Sequence, residues 1–126
     1  MKVFYLDSVA WHDSQLLYHT LPRLNREGLL LLSPHSAYVC IGYFQDAKQE
    51  IDVEFCEENK IPIFRREVGG GAVYLDNNQL FYQLVIHKNN PLVPKTKEAF
   101  YQKFLHAPID AAHANSACKY LNRALN

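Results

Sequence analysis

Two adjacent arginines run into three adjacent glycines in Phe64-Arg65-Arg66-Glu67-Val68-Gly69-Gly70-Gly71-Ala72-Val73-Tyr74-Leu75-Asp76, a stretch that concentrates three of the chain's five glycines. Without a Cβ, successive glycines can take positive φ and let the backbone come close to a ligand. Their amides can then converge into one anion-binding concavity. An arginine beside such a loop adds a planar, permanent charge whose donors match two oxygens of a phosphate or carboxylate. In an extended strand neighbouring side chains face opposite ways, so Arg65 and Arg66 cannot both reach one ligand. One is expected to bind and the other to brace. The loop is not a P-loop, because no lysine followed by serine or threonine comes directly after the glycines. It does not match GxGxxG either, so two familiar modes of nucleotide binding are set aside.

The flanking elements must present this loop. Residues 3–6 read as a strand, and Asp13-Ser14 as the cap of a helix in which Leu17, Leu21 and Leu24 recur at helical spacing toward Gly28, with Pro22 as a potential kink. Apolar runs at 29–32 and 37–41 flank Ser33-Pro34-His35-Ser36 and predict a hairpin. A short helix is expected over 53–59, followed by a strand over 61–66. Residues 72–75 and 80–87 flank Asp76-Asn77-Asn78-Gln79 and predict a second hairpin that begins inside the glycine loop. Thr96 is placed to cap a helix carrying Phe100, Phe104 and Leu105. These elements imply an α+β fold, a mostly antiparallel sheet flanked by helices. The 126 residues suit one domain, with alanine-rich 107–126 expected to pack poorly.

Composition excludes several classes of partner. Thirteen basic and thirteen acidic side chains cancel, so no general field draws the chain to nucleic acid or an anionic membrane, and an anion must be held locally. No apolar run reaches the ~20 residues of a membrane span, and the N-terminus lacks the pattern of a secretory signal; a cytoplasmic protein is expected. Cys40, Cys56 and Cys118 lack CxxC spacing, which predicts reduced thiols and no zinc site. No metal ligands are expected: His12, His19 and His35 read as surface or hairpin histidines, Glu54, Glu57 and Glu58 as a solvated helix face, and Trp11 as a core or edge anchor. Lys95 and Lys97 read as a solvated helix start.

The segment Arg65-Arg66-Glu67-Val68-Gly69-Gly70-Gly71-Ala72-Val73-Tyr74, with Asp76 beyond it, resembles that of the lipoate-protein ligase family. Support comes from Tyr38-Val39-Cys40-Ile41-Gly42-Tyr43-Phe44-Gln45-Asp46, which is similar to that family's strand and turn. The resemblance implies a catalytic domain like those of biotin ligases and class II aminoacyl-tRNA synthetases. It further implies attachment of lipoate or octanoate, with ATP and magnesium, to a lysine of an acceptor domain through an acyl-adenylate. The implied acceptors are lipoyl domains of 2-oxoacid dehydrogenase complexes or the glycine cleavage H protein. On the same basis Arg66 contacts the adenylate, Gly69, Gly70, Gly71, Ala72 and Val73 form its wall, Tyr74 and Asp76 line or brace it, and Arg65 braces. Tyr38, Cys40 and Gly42 are candidates for the acyl pocket, with ordinary core packing as the competing explanation.

The sequence departs from the family pattern at Val68 and Leu75, where many members carry a small polar residue and a histidine, so ligand hydrogen bonds are not expected from those positions. The family's downstream lysine segment is not found before Asn126; Lys119 reads as a solvated charge, and the chain is expected to be the N-terminal part of the catalytic domain. Two alternatives stand beside the ligase. One is a transferase working through a cysteine thioester, for which Cys118, near His113, is the cysteine placed after the glycines. The other is an acyl-adenylate-binding fragment that needs a partner chain and exposes an apolar patch where that chain docks.

Overall fold

The structure, a computed structural model, describes residues 1–114. By compactness it divides into one unit spanning residues 1–87 and a second beginning at residue 88.

The first unit is built from two strand-helix-strand crossovers. Strand β1 (Lys2–Val9) leads through helix α1 (Asp13–Arg23) to β2 (Gly28–Pro34), which pairs with β1 in parallel. Strand β3 (Tyr38–Ile41) leads through the short helices α2 (Ala47–Glu50) and α3 (Val53–Glu58) to β4 (Ile63–Arg65), again in parallel. The chain beyond the glycines then gives one antiparallel strand to each crossover. Strand β5 (Val73–Leu75) pairs with β3, and β6 (Phe81–Val85) with β2. The result is two three-stranded mixed sheets, ordered β1-β2-β6 and β4-β3-β5.

This arrangement confirms the α+β class and corrects the strand pairing. Neither expected hairpin forms: β2 and β3 lie in different sheets, as do β5 and β6, and half of the pairings are parallel. The turn residues do separate successive strands, as expected. A turn does not fix a strand's partner, and here non-local pairing won. Strand β1 also outruns its expected length. It carries a bulge between Tyr5 and Asp7, and Asp7 takes φ 54°, a conformation Asp tolerates better than most residues.

Alternation along β3 gives the unit its two interiors. Val39 and Ile41 join Cys56 in an apolar core, covered by Ala47, Ile51, Ile61, Ile63 and Ala72. Tyr38 and Cys40, one residue out of phase, face the other way. There Tyr38 is fully buried, and its hydroxyl hydrogen-bonds with Ser14 Oγ (2.7 Å) and accepts from Gln15 Nε2 (2.8 Å). Trp11 packs on Tyr38 and Phe64, consistent with an anchoring role.

Helix α1 buries a face that apolar periodicity does not reveal. Its buried residues are Ser14, Gln15 and His19, whereas Leu16 is exposed and Leu24, just past the helix, is 62% exposed. His19 is therefore not a surface histidine. The polar face is stable because its groups find partners: Ser14 Oγ donates to Trp11 O (2.6 Å), and Gln83 Nε2 of β6 donates to Ser14 O (2.6 Å).

In the second unit Thr96 caps helix α4 (Lys97–Ala114) as expected, its Oγ1 accepting from the Ala99 amide (3.2 Å). Phe100 and Phe104 stack along one face with ring centroids 4.7 Å apart. Part of the expected tail belongs to this helix, which runs to Ala114; the rest of it, with Cys118 and Lys119, lies outside the described residues.

Candidate functional site

The glycine loop joins β4 to β5 and folds back against the end of β3. The two arginines that precede it point apart, as strand alternation requires. Arg65 Nη1 donates to the carbonyl oxygens of Gly42 (3.1 Å) and Tyr43 (3.0 Å), and also to that of Gln45, gathering the turn after β3 around one guanidinium. The same turn is closed by the Gly42 amide, which donates to Gln45 Oε1 (2.8 Å). An Arg65→Ala substitution is expected to lower stability by about 1–2 kcal/mol, since charge-assisted hydrogen bonds to a turn are lost while its carbonyls remain accessible to water. Chemical denaturation of the variant beside the parent chain checks this.

Arg66 faces the Tyr38/Cys40 side. Its Nη1 donates to Cys40 O (3.4 Å) and approaches Cys40 Sγ (3.7 Å), while Nη2 donates to the carbonyls of Gly69 (3.0 Å) and Gly71 (2.9 Å). Nε also donates to Gly69 O (3.3 Å). The loop's carbonyls are thus turned onto its own arginine. Among the described residues the amides of Gly69, Gly70 and Gly71 make no hydrogen bond, and all three glycines are exposed. The loop therefore combines a fixed cation with unpaired N–H donors, the chemistry an anion needs.

Two glycines are there for steric reasons. Gly70 has φ 111°, and a Cβ on it would lie 2.5 Å from Arg66 Nη2. A Cβ on Gly42 would lie 2.0 Å from the Gly70 carbonyl oxygen. Gly42, a candidate for the acyl pocket, therefore stands where the β3 turn and the glycine loop meet backbone to backbone. A cross-brace holds the contact: the Tyr43 amide donates to Val68 O (3.0 Å), and the Arg66 amide to Ile41 O (3.0 Å).

The remaining candidates are distributed around this loop. Cys40 is 1% exposed and lies against Arg66; Tyr38 is buried with its hydroxyl engaged. Ala72 packs on the apolar core, whereas Val73 and Tyr74 on β5 are partly open to solvent. Asp76 Oδ1 accepts from the Asn78 amide (2.9 Å), so this carboxylate shapes the turn after β5. Among the described residues no group of three or more His, Cys, Asp or Glu side chains could hold a metal ion, and no helix is long and apolar enough to cross a membrane.

Sequence reasoning passed over Tyr18 and Arg23 of α1 and placed His19 at the surface. Tyr18 donates to Gln15 Oε1 (3.0 Å), and burial pushes its phenol up to about 12; the nearby Cys40 adds to the rise and Arg66 opposes it. Tyr18 is consequently a neutral phenol close to Arg66. His19 and Arg23 both meet Glu67, the residue after Arg66. The signal available in the sequence was the polar set Ser14, Gln15, Tyr18 and His19, which shares one helical face.

Residues 5–120 match the family model of the lipoyl protein ligase A/B catalytic domain. The octanoyltransferase LipM of Clostridioides difficile is 37% identical over 78 residues, 62% of this chain and 28% of the relative. The lipoate-protein ligase A subunit 1 of Thermoplasma acidophilum is 45% identical over 51 residues, 40% of this chain and 20% of the relative. The chain thus spans less than a third of the length of either. A solved lipoate-protein ligase A bound with ATP superposes with a TM-score of 0.55 at 30% identity, over 63% of this chain and 34% of that one. Two Thermoplasma acidophilum structures each give 0.53 at 31% identity over 63% of this chain. One is a lipoate protein ligase with bound lipoic acid, of which 34% is covered, and the other a bi-partite ligase and its E2 lipoyl domain, of which 32% is covered. The family match spans most of the sequence, and the chain belongs to the lipoyl protein ligase A/B catalytic domain family.

Proposed function

We propose that this chain supplies the acyl-adenylate cradle for ATP-dependent attachment of lipoate or octanoate to a lysine of a lipoyl acceptor domain. One observation carries the reading: Arg66 binds the carbonyls of its own glycine loop, leaving three exposed amides unpaired beside a guanidinium. In the reaction a carboxylate oxygen attacks the α-phosphorus of ATP, the bond to the β-phosphate breaks, and pyrophosphate leaves. The acceptor amine then attacks the acyl carbon and AMP departs. The Gly69–Gly71 amides hold the α-phosphoryl oxygens, and Arg66, its donors turned to the loop carbonyls, supplies the fixed positive charge beside them in both steps. Magnesium fits as an ion carried largely by the nucleotide's phosphates, since it keeps waters and needs few protein ligands. Cys40, beside Arg66, begins the acyl wall in this reading, with Tyr38 behind it. Ala72, Val73 and Tyr74 continue the wall, Arg65 and Gly42 hold the loop against β3, and Asp76 braces the turn beyond it.

The reading draws support from the solved ligases bound with ATP and with lipoic acid, and from the bi-partite ligase and its E2 lipoyl domain. The bi-partite ligase likewise favours a second polypeptide that completes the site. The likeness to an octanoyltransferase supports a second reading, in which a thiolate attacks an acyl thioester and releases the donor's thiol. Cys40 and Cys56 are buried, so neither is placed to meet a large donor. Incubation with lipoate, ATP and magnesium, then gel filtration and mass spectrometry, separates the two. Retained lipoyl-AMP that requires ATP is expected. A covalent octanoyl adduct formed from an octanoyl thioester without ATP would overturn the ligase reading in favour of the transferase.

A further inference from the structure

We propose that His19 is a positioning residue for the glycine loop: its neutral imidazole holds the backbone immediately after Arg66, so that acid loosens the loop and weakens its hold on an anionic ligand. The ligand half of this inference rests on the function proposed above; the clamp itself does not.

The geometry joins helix α1 to the loop at one residue. The Glu67 amide donates to His19 Nε2 (3.3 Å), which requires that nitrogen to be unprotonated and places the ring's proton on Nδ1. Nδ1 in turn faces Glu67 Oε2 at 3.8 Å, and the other carboxylate oxygen pairs with Arg23 Nη2 at 2.6 Å. Glu67 is thus held through its main chain by His19 and through its side chain by Arg23. Its neighbours are Arg66, whose guanidinium organises the glycine carbonyls, and Val68, whose carbonyl receives the Tyr43 amide. His19 is 8% exposed, and Tyr18 lies over it with ring centroids 4.1 Å apart. A side chain buried in this way has few alternative orientations.

Three groups face the imidazole: Glu67 from the loop, and Arg23 and Tyr18 from its own helix. Burial lowers the pKa of His19 from its ordinary 6.5; Glu67 opposes that shift and Arg23 adds to it. Because the folded value is depressed, the stabilisation is fully present above the ordinary value and is lost as pH falls through the folded one. Protonation puts an N–H where Nε2 accepted one. The imidazolium must then turn toward the Glu67 carboxylate, and the amide loses its acceptor.

The test uses the ligand-free chain and a phosphodiester mimic of lipoyl-adenylate, which keeps its single phosphate charge over the pH range used. Amide-exchange protection at Glu67 and calorimetric affinity for the mimic are measured at about pH 7.5 and about pH 4.5, a span that runs well below the ordinary histidine value because that of His19 is lowered. In the parent chain both are expected to fall about tenfold in acid, the equivalent of one net hydrogen bond. His19→Gln, which offers a non-titrating acceptor, is expected to abolish most of this pH dependence. His19→Leu is expected to show the acid-like values at both pH values. Should the leucine variant fail to fold, the parent's pH series and the glutamine variant still decide. PH-independent protection and affinity in the parent, or an unaltered pH response in His19→Gln, would overturn the clamp. Failure of every form to bind the mimic, with Glu67 protection still falling in acid, would instead refute the ligand reading and uphold the clamp.

Discussion

A Gly42→Ala variant is expected to lose about 3 kcal/mol of stability, at the upper end of what overpacking costs, and to melt roughly 10 °C or more below the parent. The new methyl carbon would lie 2.0 Å from the Gly70 carbonyl oxygen, a backbone atom that cannot move alone. Gly70 is pinned at φ 111° beneath the Arg66 guanidinium, and Gly42 is held by its hydrogen bonds to Gln45 and Arg65. Relief requires the β3 turn and the glycine loop to separate. That movement breaks the bond from the Tyr43 amide to Val68 O and opens the side of the site facing Cys40. Thermal unfolding followed by circular dichroism measures the effect. A variant that melts with the parent would show that the two loops do not meet as described.

The glycine loop was legible in the sequence because its signal is local. Three consecutive glycines after two arginines leave few structural alternatives, and strand alternation already required Arg65 and Arg66 to diverge, as they do. Helix α1 and the Thr96 cap were legible for the same reason, but Asp13 and Ser14 do not cap α1: both lie inside it, and its N-cap, His12, makes no side-chain cap bond. The sheets were not. Strands β5 and β6 pair with β3 and β2, far back along the chain, and turn residues at Ser33-Pro34-His35-Ser36 and Asp76-Asn77-Asn78-Gln79 mark where one strand ends without naming the next neighbour. The inner face of α1 was missed because apolar spacing points to Leu17, Leu21 and Leu24, whereas the residues that are buried are Ser14, Gln15 and His19. Polar residues can fill such a face when each finds a partner, and those partners, Tyr38, Gln83 and Glu67, come from three separate strands or loops. Glu67, between the arginines and the glycines, was assigned no role from the sequence. Its role emerges only when α1 is in place.

Arg66→Ala is expected to weaken binding of an acyl-adenylate by about a hundredfold or more, because two effects combine. The guanidinium is the fixed positive charge beside the exposed amides, and charge-assisted hydrogen bonds to a phosphate are worth roughly 1.5–3 kcal/mol. It also turns the Gly69 and Gly71 carbonyls inward, so its removal frees the loop to rotate and disperses the amides. Arg66→Lys keeps the charge while losing the planar fork that spans both carbonyls, and is expected to fall between the parent and the alanine variant. The most direct measurement is a calorimetric titration of the folded chain with a non-hydrolysable lipoyl-adenylate mimic, with Arg66→Ala alongside. Saturable binding that the alanine variant loses is the expected result; a folded parent chain that does not bind the mimic, or a variant that binds it equally well, would contradict the cradle.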